Sequence, residues 1–254
     1  MMDRTKQLSK ATWGKGLGFE DEKVLILHAD DAGLDSFTNT AIFESLNQGV
    51  IQSCSVLVKG YPDEFLFKIR DYDFDVGLHF NATKPDCSDQ IDAQFRYMVK
   101  KGVVPTHIDC HKGSIFMVPQ IARTYIEFAR IKNIPILVPD IKPSTYRRFK
   151  AFGIRLEGFR GYRGVRVDDM YVLSMLGGES FEEKKQRFLM FLDTLKPGIT
   201  EVILHISSNP DWKKWLWEWK LFEDPDVLEK LNSFTLTNWK EIWRRYDIAN
   251  NLQT

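Results

Sequence analysis

The chain has 254 residues, 43% of them apolar and 28% charged, enough to bury a sizeable core in a globular protein. Thirty-five basic residues balance thirty-five acidic ones, which removes the global positive field expected of a dedicated nucleic-acid binder. The sequence offers no run of about 18 apolar residues for a membrane-spanning helix. Its first nineteen residues lack the apolar segment of a secretion signal, and three cysteines without paired spacing point to a reduced, cytoplasmic setting rather than a disulfide scaffold or zinc finger.

Short apolar runs alternate with segments of helical period. Residues 24–27 read as a buried strand, followed by a helix capped by Asp35 or Ser36, with Phe37, Ala41, Ile42 and Leu46 on one face and Gly49 at its end. Residues 53–58 read as strand, 63–70 as a short helix and 76–80 as strand. Ser88 is placed to cap a helix through Ile91, Phe95, Met98 and Val99 that stops at Gly102. Residues 106–110 read as strand, and the next helix carries Pro119 in its first turn, where a missing N–H costs nothing. A strand at 136–138 follows, then a helix over 181–195 ended by Pro197-Gly198, a strand over 201–206 and a last helix over 238–245. Strand–helix alternation of this kind produces parallel strands with helical crossovers. Seven or so such units, with no repeat and no linker, predict one domain over residues 1–254, an α/β chain forming a closed or nearly closed, TIM-like (β/α) barrel rather than an open doubly wound sheet.

The five histidines, His28, His79, His107, His111 and His205, lie in or just after apolar strand-like runs, and the first run also delivers Asp30 and Asp31. In parallel α/β folds the C-terminal strand ends converge on one face, where active sites are built. Neutral imidazoles and a carboxylate are ligands for a divalent ion, and two histidines with one carboxylate leave positions open for water and substrate. Strand period puts His107, Asp109 and His111 on one face, with His111 nearest the rim and the other two suited to support a ligand histidine from behind. Two adjacent buried carboxylates repel unless a cation lies beside them, so one of the pair would bind the ion while its neighbour takes a proton. The bland alternatives are hydrogen-bonded histidines at strand ends, and an Asp-Asp-Ala-Gly turn that serves only the backbone.

His28-Ala29-Asp30-Asp31-Ala32-Gly33 followed by Asn39, then Ser53-Cys54-Ser55-Val56, Asp75-Val76-Gly77-Leu78-His79 and Pro105-Thr106-His107-Ile108-Asp109-Cys110-His111, resemble the YdjC-like carbohydrate deacetylases, the group that includes chito-oligosaccharide deacetylase. The similarity runs in order over residues 17–139 and resumes at 201–205. It implies a distorted (β/α) barrel and metal-dependent removal of an acetyl group from an N-acetylated sugar. By the family pattern Asp31, His79 and His111 match the ligands of one divalent ion, magnesium or zinc. Asp30 matches the catalytic base, and His205 matches the late-strand histidine, expected to act as general acid. Three features depart from the pattern: a short stretch from His79 to Gln90, Lys112-Gly113 after His111, and His205-Ile206-Ser207 in place of His-Pro-Gly. They bear on the sugar pocket and leave the ligand set intact.

Trp212, Trp215 and Trp219 fall on one helical face, which suits packing against the barrel or a second subunit in a homodimer better than stacking on sugar rings. Residues 147–166 hold Arg147, Arg148, Lys150, Arg155, Arg160, Arg163 and Arg166 against Glu157 alone; this reads as a mobile solvated loop, with an anionic substrate group or RNA as the functional alternatives. Cys54 and Cys110 read as small core residues. The rivals to a deacetylase are a metallohydrolase of another bond, such as a phosphoester or a non-sugar amide, and a carbohydrate- or anion-binding protein on the same barrel without turnover.

Overall fold

The apolar run at residues 24–27 extends at both ends into a ten-residue strand, β1 (Lys23–Ala32), with Leu25, Ile26 and Leu27 fully buried. A strand buried on both faces belongs in the interior of a parallel sheet. β1 takes that place in the computed structural model, which describes residues 12–251 except 152, 155, 160 and 161. The other strands are β2 (Ser53–Val56), β3 (Val76–Phe80), β4 (Ile108–Cys110), β5 (Asp169–Val172), β6 (Gly198–Leu204) and β7 (Thr235–Leu236). Their order is β4-β3-β2-β1-β6-β5, all parallel, and β7 pairs with β1 at Val24 and Leu25.

The outer strands β4 and β5 are joined through residues 136–139, since Ile136 bridges Ile108 and Pro139 bridges Val167. The Leu137 N–H donates to Ile108 O at 3.1 Å and the Val167 N–H to Val138 O at 3.2 Å. The sheet thus curls into a distorted (β/α) barrel with one weakly paired sector. The strand expected at 136–138 contributes isolated bridges rather than a ladder.

The helices are α1 (Trp13–Gly16), α2 (Ser36–Asn47), α3 (Pro62–Ile69), α4 (Ser88–Lys100), α5 (Ser114–Met117), α6 (Pro119–Lys132), α7 (Pro143–Ala151), α8 (Phe181–Thr194), α9 (Lys213–Leu221), α10 (Pro225–Leu231) and α11 (Trp239–Asn251). Asp35 caps α2, its Oδ1 accepting from the Thr38 N–H at 2.7 Å, and Pro119 opens α6. Ser88 does not cap α4; the N-cap position is Cys87, which makes no side-chain cap bond. Among the described residues no helix is long and apolar enough to cross a membrane.

Strand period two divides the apolar residues between two cores. Leu25, Leu27, Cys54, Val56, Leu78 and Ile108 point outward into the larger cluster under the helices. Val24, Ile26, Leu137, Val167 and Ile199 form part of a smaller cluster, the apolar floor of the barrel. The inward positions higher on the same strands are polar: His28, Ser53, Ser55, His79, Asp109 and Glu201, all buried.

The basic stretch is not a solvated loop. Arg148, on α7, donates to Asp169 and to Met170 O, and buried Arg166 donates to the carbonyls of Pro139, Phe159 and Tyr162. Arg147, Lys150 and Arg163 are exposed, while Arg155 and Arg160 lie outside the described residues.

Candidate metal centre and active site

Two consecutive strand residues normally face opposite sides of a sheet. Asp30 lies in register with the inward set, so Asp31 would point out to the helices. The register of β1 against β2 instead shifts between Ala29 and Ala32, and Asp31 adopts a left-handed backbone with φ 67°. A bulge of this kind re-aims a side chain next to a functional site, and a non-glycine residue there stores strain. The turn is held by Asn39, whose Oδ1 accepts from the Gly33 N–H at 2.7 Å. Gly33 has φ 94°, and a Cβ there would stand 2.8 Å from Leu57 O, so only glycine fits.

The result is a triad of donor atoms. Asp31 Oδ1 lies 3.0 Å from His111 Nδ1 and 3.3 Å from His79 Nε2, and the two nitrogens are 3.3 Å apart. His79 comes from β3 and His111 from the turn that follows β4. Around an ion with bonds of about 2.0–2.1 Å, neighbouring ligand atoms stand about 3.0–3.4 Å apart. Asp31 Oδ1 is buried and has no partner in hydrogen-bond geometry despite the two imidazoles beside it. Three lone-pair donors at these separations, one of them orphaned, fit a divalent cation.

Behind the triad, Asp109 Oδ1 accepts from His79 Nδ1 at 2.9 Å, which turns Nε2 toward Asp31. Its other oxygen accepts from Ser55 Oγ at 2.7 Å and from His28 Nε2 at 3.2 Å. Burial opposes a charge on His28, yet its hydrogen bonds to Asp109 and Asp30 prevail and push its pKa up to about 10. Burial likewise opposes charge on Asp109, but the imidazoles of His79 and His28 hold it well below the usual carboxylate range. His28 therefore carries a proton and sits between Asp109 and Asp30, 3.3 Å from Asp30 Oδ1.

In front of the triad, Asp30 Oδ2 stands 3.9 Å from His79 Nε2 and 3.9 Å from His205 Nε2. The His205 backbone N–H donates to Glu218 Oε2 at 3.0 Å, and Glu218 is paired through Oε1 with Lys184 at 3.1 Å, both nearly fully buried. The Trp215 ring lies 5.3 Å from the His205 ring. Of the sequence-derived candidates, Asp30, Asp31, His79, His111 and His205 thus converge. His28 and His107 do not reach the rim. His107 is fully buried against the His28 ring at 5.1 Å, bonded to Thr106 Oγ1 at 2.8 Å, and does not support a ligand histidine.

Comparison with known proteins identifies the family. A family model described as YdjC-like protein matches residues 24–90 and 81–233. The chain belongs to the YdjC-like protein family. It is 24% identical to a carbohydrate deacetylase of Thermoanaerobacter pseudethanolicus over 85% of this chain and 98% of that one. A chitooligosaccharide deacetylase of Serratia marcescens is 28% identical over 45% of this chain and 59% of its own length. Among solved structures, a candidate cellobiose-phosphate cleavage protein of Enterococcus faecalis V583 superposes with a TM-score of 0.65 at 18% identity, covering 87% of this chain and 99% of that one. A peptidoglycan N-acetylglucosamine deacetylase superposes at 0.52 with 12% identity and 87% coverage of both chains. These two likenesses concern the fold alone.

Sequence reasoning passed over several parts of this YdjC-like site. Glu218 carries no motif signal of its own. The alternation Ser53-Cys54-Ser55 does carry one, because it places small polar groups inward and the thiol outward. Trp219 packs on the larger core, whereas Trp212 stays 38% exposed with its ring 5.1 Å from Trp215.

Proposed function

We propose that this YdjC-like protein is a metal-dependent hydrolase that removes the acetyl group from an N-acetylated sugar, with Asp31, His79 and His111 as metal ligands, Asp30 as base and His205 as acid. The observation that carries the reading is the orphaned Asp31 Oδ1 at 3.0 and 3.3 Å from two imidazole nitrogens, with Asp30 beside it. The deacetylase names of the similar proteins support the substrate class. Two imidazoles suit zinc better than magnesium. The three free cysteines fit a cytoplasmic setting, and continuous sheet pairing from β4 round to β5 fits a single domain.

A divalent ion held by the triad supplies Lewis acidity to the amide carbonyl and to the attacking water. Asp30 Oδ2, 3.9 Å from a ligand nitrogen, is placed to take a proton from that water. His205 Nε2, 3.9 Å across from the same oxygen, is placed to give a proton to the departing amine. Acetate and the free amino sugar leave. Protonated His28 balances Asp30 and Asp109 from below, so the pair of carboxylates is not left uncompensated.

The test is metal content of dialysed protein by elemental analysis, with acetate release from N-acetylglucosamine oligomers. Wild type is expected to hold about one ion per chain and His79→Ala none. Asp30→Asn should keep the metal and lose at least about 100-fold in turnover, the lower end of general-base catalysis. Metal-free wild type after incubation with zinc, or full activity in Asp30→Asn, would refute the assignment.

A further inference from the structure

A cavity of about 560 Å³ opens beside Asp30 and His205, within the range of small-molecule sites. None of the three metal ligands lines it. Beyond the two catalytic side chains its wall is chiefly apolar, with Phe116, Met117, Phe149, Met175 and Leu176 prominent. Met117 and Met175, both on this wall, are 54% and 56% exposed. Arg148 also reaches the wall, but its charge is spent on Asp169, and its guanidinium lies over the Tyr171 ring at 4.1 Å. The Tyr171 hydroxyl donates to the same carboxylate at 2.8 Å. Lys112, exposed and with φ 58°, also lines the cavity.

A site for a chain of bare sugar rings would present hydroxyl-binding groups; here, apart from Asp30, His205 and Lys112, the polar side chains of the wall are engaged, Arg148 and Tyr171 with Asp169 and Cys110 with Ser114. We infer that this cavity takes an apolar substituent on the amino-sugar side of the scissile amide, so that the substrate is an N-acetylated sugar bearing a hydrophobic aglycone. The inference rests on the deacetylase reading above. The side is assigned because the cavity borders His205, the group facing the departing amine, and avoids the metal ligands. Methionine supplies a polarisable, adaptable wall for flexible chains.

Methyl and octyl 2-acetamido-2-deoxy-β-D-glucopyranoside, both below micellar concentration, are compared by acetate release with the zinc-loaded enzyme. Each methylene withdrawn from water is worth about fourfold, so burial of only two gives the octyl glycoside a gain of about tenfold or more in kcat/KM. In the double variant Met117→Gln/Met175→Gln, whose changes fall on exposed side chains that the fold does not need, the octyl-to-methyl ratio should drop toward one. Equal kcat/KM for the two glycosides overturns the aglycone pocket while the deacetylase reading stands. A ratio unchanged in the double variant also overturns it. A larger gain from N-octanoyl over N-acetyl glucosamine reassigns the cavity to the acyl side, and faster turnover of an N-acetylated sugar phosphate assigns it to anions through Lys112. No acetate from any N-acetylated sugar removes the deacetylase reading and this inference together.

Discussion

Asp109 makes no contact with the proposed metal position, yet its replacement should be felt there. Its Oδ1 accepts from His79 Nδ1 at 2.9 Å, and its Oδ2 accepts from Ser55 at 2.7 Å and His28 at 3.2 Å. Removing the outer partner of a ligand histidine costs about 10–100-fold in metal affinity, equivalent to about 1.4–2.7 kcal/mol at 1.36 kcal/mol per tenfold. The two ends of that range belong to different substitutions. Asp109→Asn keeps an oxygen for His79 and lets Ser55 accept from the new amide, so it loses the charge but not the orientation, and about tenfold is expected. Asp109→Ala frees the His79 ring and leaves protonated His28 facing Asp30 alone, so about 100-fold is expected, with about 3–5 kcal/mol of folding stability lost from the broken buried pair. Zinc affinity is read by competition with a chromophoric chelator, and folding by far-ultraviolet circular dichroism and urea titration. Wild-type zinc affinity in Asp109→Ala, or an Asn variant weaker than the Ala variant, would refute the reasoning.

Burial pushes the Glu201 carboxyl up to about 8; His28 and the Trp239 indole N–H pull it down, and Asp109 and Asp30 push it further up. A folded-state value above the unfolded one means stability fully present below about pH 4.5 and lost as pH rises through about 8. Glu201→Gln should therefore flatten the fall in Tm between about pH 5 and about pH 9; a slope equal to wild type would contradict this. At Gly77 a Cβ would stand 2.3 Å from His107 Nε2, and that ring is fixed against His28, so Gly77→Ala should lower the urea stability by about 1–3 kcal/mol or more. Lys184→Met strands Glu218 in the interior at a cost of about 3–5 kcal/mol, and adding Glu218→Leu should recover much of it; no recovery in the double variant would assign the loss to packing.

The site was legible where chemistry coincides with strand period. Histidines and aspartates at the ends of apolar runs have few structural reasons to be there, and period two already set Asp109 behind the ligands. The same period misplaces Asp31, because a bulge is invisible to it; the structure supplies the reason in the left-handed φ that turns the side chain inward. His28 and His107 mark the opposite limit. Each ends an apolar run like the ligand histidines, yet depth along the barrel axis separates them from the rim, and sequence carries no record of depth. The basic stretch misleads because charge counting ignores partners: Arg148 finds Asp169 and Arg166 finds the Pro139 carbonyl, both remote in the chain, and Arg166 also takes the nearby backbone carbonyls of Phe159 and Tyr162, which carry no charge to count.

The least regular part of the barrel is also the part that lines the apolar cavity. Over most of the circuit, ladders such as that from Lys23 to Ala29 along β6 fix inward positions two by two; His79 stands on such a ladder, while the bulge at Asp31 and the turn at His111 complete the proposed metal centre at the strand ends. Between β4 and β5 the ring closes, among the described residues, through two isolated bridges, and the chain departs there into α5 and α7 and, after β5, into the turn at Leu173–Leu176. A regular strand in that sector would have projected every second side chain into the barrel and filled the space beside Asp30. Helical segments at its mouth instead contribute Phe116, Met117, Phe149, Met175 and Leu176 to the wall of a cavity that stays open. The same division explains why catalytic candidates are readable from strand motifs and the wall is not: its residues come from segments far apart in sequence, each ordinary in composition.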